Sequence, residues 1–537
     1  MMIINQRFVL LLLMLAAFAW RLHGITNQSL WRDEVDAIYF ALRDLPDTLA
    51  MFGAMAQNGV LYFLSLRGWF HLVGASEFAL RYVSVMAGTL TIPLLWQVTR
   101  RLLGIKYKIT AQAKFTLQAT LPFLAALFLA VNPYQLWYGQ EGKMYTLVTA
   151  LTLLAHWCWL TGIMHGGRRI WLIYLITVSL CLYIHLLTII IIPLHLLWFV
   201  IAWPQSRRYW RGYGFALAGL TLPYLPFVWW QWAMLTATDK LTGFNFTPLS
   251  EMLYTLLINH SYGLLPPPPI FRLLPIFFIG AVGLLLGAGV IPEKRSEPAA
   301  DLPSGLPSDL SPGLSAWRRY WLLVSWLFIP IATIYLLSLR QPVYTDRYII
   351  WIAPAAMILL ALGIQALYQN SGRIAIPLVL LLLVYTLGFW IQMGWRQKNE
   401  TIKYDLRSAI HYVAARRTPE TLLILQIPHL EFSYRYYTSD NSPTLFATSE
   451  ERIGRWVGGL WTNGGLPDDQ AQLIADQQMQ VMTAGVDELW VLSSEVEMWD
   501  ARHYMRAWLD EHGQLIEAAE FHGVHARHYL LAAGKQP

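Results

Sequence analysis

The sequence predicts a mainly α fold: a polytopic bundle of about eleven membrane helices followed by a smaller α/β domain. Three observations carry this. Of the 537 residues, 56% are hydrophobic and only 13% charged, with a mean hydropathy of +0.41. An ordinary soluble domain has about 25% charged residues. The 25 Trp and 27 Tyr are side chains that favour membrane interfaces. Apolar runs of about 20 residues, enough to cross a ~30 Å hydrocarbon core, recur until near residue 395.

The runs fall at 8–25, 78–98, 118–138, 144–163, 170–187, 188–203, 213–234, 271–291, 320–339, 348–368 and 373–392. The first resembles a signal peptide but has no small-x-small cleavage site, so it reads as an uncleaved span. The fifth and sixth form an almost continuous stretch, "WLIYLITVSLCLYIHLLTIIIIPLHLLWFVIAW". That is too long for one crossing, and the break is placed at His185. Basic loops such as "RRLLGIKYKITAQAK", "PQSRRYWRG" and "PEKR" all fall on one side, which the positive-inside rule makes cytoplasmic. The same rule explains the net charge of +6 without a nucleic-acid partner. The N-terminus is then inside. The loops holding Asp33, Glu141, His185 and Arg347 are outside, as is everything after the last span. The expected localisation is the bacterial plasma (inner) membrane.

The expected domains are a transmembrane module, 1–395, with a first outer loop at 26–77, and an extracytoplasmic α/β domain, 396–537. The cytoplasmic loop 292–316 is rich in Pro, Ser, Gly and Asp, has too few large apolar residues for a core and reads as disordered. Beyond 395, "TIKYDLRSAIHYVAARR" reads as an amphipathic helix, and "TLLILQI" and "ELWVLSS" as buried strands. "WDARHYMRAWLDEHG" reads as a helix ending at Gly513, and "HARHYLLAA" as a last strand. Neither a P-loop nor a dinucleotide fingerprint is present in this part.

Candidate chemistry lies in the outer loops. In "SLWRDEVDAIYF", Asp33 and Glu34 head an amphipathic surface helix marked by Val35, Ile38, Leu42 and Leu45. Two readings compete: acids suited to a helix N-terminus, and a catalytic carboxylate at the mouth of a membrane cavity. Glu77 and Arg81 are spaced as an i,i+4 pair, with Asn58 and Tyr62 upstream. "VNPYQLWYGQEGKMYTL" places Glu141, Lys143 and Tyr145 in a very short loop. Ionisable groups at such a depth mark cavities and function, unless Glu141 and Lys143 simply satisfy each other. His185 is a lone histidine in an apolar run. In "VYTDRYIIW", Arg347 beside Tyr348 can hold a phosphate, or pair with Asp346 and snorkel. Cys158 and Cys181 give no disulfide framework and no metal spacing. The sequence requires no cofactor and leaves a divalent metal open.

The order "LWRDEVDAIY", "LYFLSLRGWFHLVGASEFALRYVSVMAGTL", "NPYQLWYGQEGKMYTL" and "DRYIIWIAPAAMILLALG" resembles the GT-C membrane glycosyltransferases. The resemblance is to the protein O-mannosyltransferase and lipid A aminoarabinose transferase group. It covers most of the membrane region. The outer domain that many bacterial members carry is similar to the tail. The resemblance implies sugar transfer from a polyprenyl-phosphate donor to a lipid, glycan or protein hydroxyl, with inversion. It implies a catalytic carboxylate at Asp33 with Glu34 beside it, a second acidic motif at Glu141 and an Arg at Arg347. Many members place a basic residue before the Leu-Tyr pair. This chain has Asn58, Gly59 and Val60 there, so a basic donor-phosphate contact is absent at that position. Two rival functions stay open on sequence: a lipid or glycan transporter, which tends to show internal repeats, and a non-catalytic membrane subunit of a cell-envelope glycan pathway.

Overall fold

The computed structural model describes residues 6–53, 57–105, 117–203, 205–237, 244–292, 314–370, 372, 376–438, 452–459 and 461–531. The chain divides into two compact units. The first comprises Met1–Ile25, Pro46–Ser65 and Arg81–Gln397; the second comprises Thr26–Leu45, Leu66–Leu80 and Lys398–Pro537.

The first unit is helical. Each of the eleven predicted apolar runs holds helix. Among the described residues, five helices are long and apolar enough to cross a membrane: Glu77–Leu103, Tyr145–His165, Ala316–Ser338, Asp346–Asn370 and Ile376–Asn399. Shorter apolar helices include Leu186–Ile201 and Leu274–Val290. The break at His185 is real: Arg168–Ile184 ends there, His185 turns to an extended φ of −152°, and a 3₁₀ turn restarts the chain. Helix Leu249–Tyr262 lies outside every predicted run, as do Leu45–Gly53 and Val60–Val73. The predicted disordered loop 292–316 lies, but for its two ends, outside the described residues.

Helix packing here uses small residues, as expected where lipid offers no hydrophobic contrast. Leu274–Val290 and Ala353–Asn370 approach through Gly283 and Gly363. A Cβ on Gly283 would collide with the Leu359 carbonyl, and one on Gly363 with the Ile279 carbonyl.

The second unit carries one five-stranded sheet, order β2-β1-β3-β5-β4. Its strands are β1 (Leu422–Leu425), β2 (Ile453–Arg455), β3 (Glu488–Ser494), β4 (Gly513–Phe521) and β5 (Val524–Leu531). The first three run parallel, and β5 and β4 close the sheet as an antiparallel hairpin. The continuous apolar run of β1 follows from burial on both faces. Leu423 and Leu425 join one core with Trp490 and Leu492, while Leu422 and Ile424 join the other with Leu489 and Val491. The predicted amphipathic helix is Leu406–Ala414. The predicted helix before Gly513 is Tyr504–His512.

Candidate functional site

Each unit positions part of the candidate set. In the first unit the loop after residue 131 is built on Asn132. Its side chain caps the short helix Pro133–Tyr138 by accepting from the Gln135 N–H at 3.0 Å, with Pro133 in the first turn. Its Nδ2 also donates to the His260 carbonyl at 2.7 Å. The cap satisfies an orphan helix donor and buries all six residues of the helix. Tyr134 thereby donates to Asp346 Oδ2 at 2.8 Å, and Asn259 donates to the same oxygen at 2.7 Å. Its other oxygen, Oδ1, accepts from Thr345 Oγ1 at 3.3 Å, so this carboxylate has three neutral donors.

Glu141, only 2% exposed, accepts from the Trp137 indole at 3.1 Å. Its backbone carbonyl accepts from Ser84 at 2.5 Å. Lys143 does not ion-pair with Glu141 among the described residues; its ammonium lies 5.8 Å from the centre of the Phe63 ring. The backbone between them turns tightly, Lys143 N–H donating to the Glu141 carbonyl at 2.8 Å.

Tyr145 is the meeting point. The Arg347 guanidinium lies 5.9 Å from its ring centre, within cation–π range. Tyr348 lies 6.4 Å and His185 6.3 Å from it, ring to ring. His185 and Tyr348 touch edge to face at 4.8 Å. Neither ring nitrogen of His185 has a hydrogen-bond partner among the described residues. Asn58 accepts from the N–H of Leu186, the residue after His185, at 2.8 Å. The neighbouring Gly59 has φ +90°, and a side chain there would strike Met144. Tyr62 is 1% exposed and packs on Phe63. The first unit therefore brings Tyr145, His185, Arg347 and Tyr348 together, with Asn58 joined through the backbone. An apolar cavity of about 470 Å³, lined by Leu253, Leu257, Phe277, Met357 and Trp390, reaches His260, whose ring lies 4.6 Å from Tyr134.

In the second unit the helix Arg32–Leu42 begins where predicted, with Asp33 and Glu34 in its first turn. Its buried face is Val35, Ile38 and Ala41 rather than the predicted Leu42 and Leu45; Leu45 is 41% exposed. Glu34 is wholly buried and pairs with Lys403 at 2.7 Å, while Asp33 keeps partial exposure. Arg32 pairs with Glu495 at 2.7 Å. Burial, then Arg32, hold the His429 imidazole below its ordinary value, with Asp33 pulling the other way. Glu77 accepts from Arg407 and Tyr437; in the first unit, Arg81 donates to the Ile25 carbonyl at 2.9 Å.

Asn132, Tyr134, Asn259, Asp346 and Lys403 were not singled out from sequence as site residues. Only Asn132-Pro133 carried a readable signal, an N-cap followed by proline. Among the described residues no group of three or more His, Cys, Asp or Glu is arranged to hold a metal ion.

No protein-family profile and no curated protein matches the chain. Solved structures do. ArnT from Cupriavidus metallidurans in the apo state is similar over 96% of this chain and 97% of that one, at 12% identity and TM-score 0.55. Its form bound to undecaprenyl phosphate is similar over 98% of each chain, at 11% identity and TM-score 0.54. The arabinofuranosyltransferase AftD from mycobacteria is similar over 99% of this chain and 42% of that one, at 14% identity and TM-score 0.50. At such identities the likeness is one of fold, and this chain has the fold of these solved structures.

Proposed function

We propose that the chain is a multi-pass membrane glycosyltransferase. It moves a hexosyl or pentosyl group from a polyprenyl-phosphate donor to an acceptor hydroxyl on the extracytoplasmic face of a bacterial inner membrane. The N-terminus is cytoplasmic and the 396–537 region extracytoplasmic. The observation that carries the reading is the grouping of Arg347, Tyr145, Tyr348 and His185 at the head of a long apolar helix. A fork of N–H donors there suits a lipid phosphate. The aromatic walls suit a sugar or isoprenoid unit. The apolar cavity reaching His260 suits a prenyl chain. The solved ArnT form that binds undecaprenyl phosphate supports this donor class.

Arg347, assisted by Lys143, holds the donor phosphate and stabilises the charge that develops on it. Asp33, partly exposed at a helix start, is the general base. Its carboxylate takes the proton of the acceptor hydroxyl. That oxygen attacks the anomeric carbon from the face opposite the phosphate. The anomeric C–O bond breaks, and the polyprenyl phosphate leaves with the electron pair, inverting the centre. Glu141 shapes the loop that carries Lys143 and Tyr145.

The test is transfer of radiolabelled sugar from polyprenyl-phosphate hexoses and pentoses by purified full-length protein. Asp33→Asn should lower transfer by about 10²- to 10⁴-fold while the protein stays folded and inserted. Undiminished transfer by that variant removes Asp33 from the base role. Absence of transfer from every donor by the unaltered protein defeats the assignment.

A further inference from the structure

Within the second unit, Asp33 is bracketed. The residue before it, Arg32, is held by Glu495, and the residue after it, Glu34, by Lys403, each at 2.7 Å. Farther along the same helix, Tyr39 stacks on Phe432 with ring centres 3.9 Å apart. The chain entering the helix is tied down as well. Leu30 N–H donates to Tyr437 at 2.8 Å, and Arg407 donates to the carbonyls of Thr26 and Gln28 at 3.0 and 3.1 Å. Each of these partners comes from the C-terminal part of the chain.

The Glu34–Lys403 pair stands out energetically. Both side chains are nearly or wholly inaccessible, 0% and 7%. A buried charge stripped of its partner is costly, so each holds the other in place. Successive helical residues are fixed about 100° apart around one axis. Pinning positions 32 and 34 therefore fixes the direction of the side chain between them. Such a pair at this spot adds nothing to the reaction by contact. It sets where the Asp33 carboxylate points.

We infer that the C-terminal α/β region is a positioning element for Asp33, with Lys403, acting through Glu34, as its principal positioning residue. The inference rests on the assignment of Asp33 as base. It gives the C-terminal region a mechanical role that needs no ligand of its own.

The experiment measures kcat and donor KM by sugar transfer on purified full-length protein. The variants are Lys403→Met, Glu34→Gln, the two combined, Lys403→Arg and Asp33→Asn. Misdirecting a reacting group by about 1 Å costs up to about 100-fold. Lys403→Met and Glu34→Gln should each lower kcat by about 10- to 100-fold at unchanged donor KM. The double variant should be no slower than the worse single, since both act through one pair. Lys403→Arg should recover much of the rate. A merely structural role would lower the yield and melting temperature but leave kcat per folded molecule unmoved. Wild-type kcat in Lys403→Met beside an inactive Asp33→Asn overturns the positioning role and spares the base. A fully active Asp33→Asn defeats the base and this inference with it. Should Lys403→Met not fold, Phe432→Leu reads the same quantity from the other end of the helix. It should lower kcat at unchanged KM, and wild-type kcat there overturns the proposal.

Discussion

Replacing Asp346 with alanine isolates the support beneath Arg347. Asp346 Oδ2 accepts from Tyr134 at 2.8 Å and from Asn259 at 2.7 Å. In water-soluble proteins a hydrogen bond to a charged group contributes about 1.5–3 kcal/mol. In a membrane protein, measured side-chain couplings average about 0.6 and reach about 1.7 kcal/mol. Two short bonds to a carboxylate sit where those ranges meet, at about 3 kcal/mol together. The Tyr134 hydroxyl, on a residue with no exposure, would lose this acceptor. Denaturation of purified protein by SDS should show a loss of about 3 kcal/mol for Asp346→Ala and about 1.5 kcal/mol for Tyr134→Phe. The double variant should cost no more than Asp346→Ala alone, because the Tyr134 bond is counted once. Donor KM should rise in parallel, since Asp346 fixes the backbone from which Arg347 projects. A stability within about 0.5 kcal/mol of wild type, the scatter of ordinary surface changes, would refute the energetic argument. A destabilised variant with wild-type donor KM would refute the link to Arg347.

Three further outcomes are expected. Gly363→Val drives a side chain into the Ile279 carbonyl, and overpacking of this kind costs about 1–3 kcal/mol, read as a lower SDS midpoint; Gly388→Val, with open space at its Cβ, is the matched control. Burial pushes the Glu431 carboxyl up, but hydrogen bonds from Arg455 and Arg435 outweigh it and hold it below the usual carboxylate range. A folded value below the unfolded one gives stability that is fully present above about pH 4.3 and lost as pH falls through the folded value. Melting of Glu431→Gln should therefore lose that part of the acid sensitivity while starting lower at neutral pH. Tyr437→Phe removes the hydroxyl that serves Leu30 N–H and Glu77, at about 1 kcal/mol, and should raise protease susceptibility of the chain around residue 30.

The membrane helices were legible because their signal is compositional. A run of apolar residues near 20 long says helix whatever surrounds it. Even the near-continuous stretch breaks at His185, one of its two histidines, where the helix Arg168–Ile184 ends. The sheet was half legible. Strands β1 and β3 announce themselves by continuous apolar residues, since both faces are covered. Strand β4 does not: "GQLIEAAEF" carries Glu and Gln, its residues are mostly exposed or half-buried, and hairpin pairing with β5 makes it a strand. Strand β2 has three residues, below what any periodicity can report. Helix Leu249–Tyr262 escaped for a related reason: it is too short and too polar to read as a crossing.

Site residues divide along the same physical line. Arg347, Tyr145 and Tyr348 could be read because polar groups in an apolar context stand out. The partners of Asp346 and Glu34 could not, because Tyr134, Asn259 and Lys403 are distant in sequence from what they bind. The pair Asp33 and Glu34 shows what the missing contacts decide. Side by side in the sequence, the two carboxylates are interchangeable as candidates for the base. A helix turns them about 100° apart, so one neighbouring surface cannot treat them alike. Glu34 is turned inward onto Lys403, 369 residues away, and a buried, ion-paired carboxylate is a poor proton acceptor because protonation would break the pair. Asp33 retains exposure, as a base that must meet an acceptor hydroxyl requires. The buried acid and the half-exposed acid of "RDE" are thus different residues of the same turn.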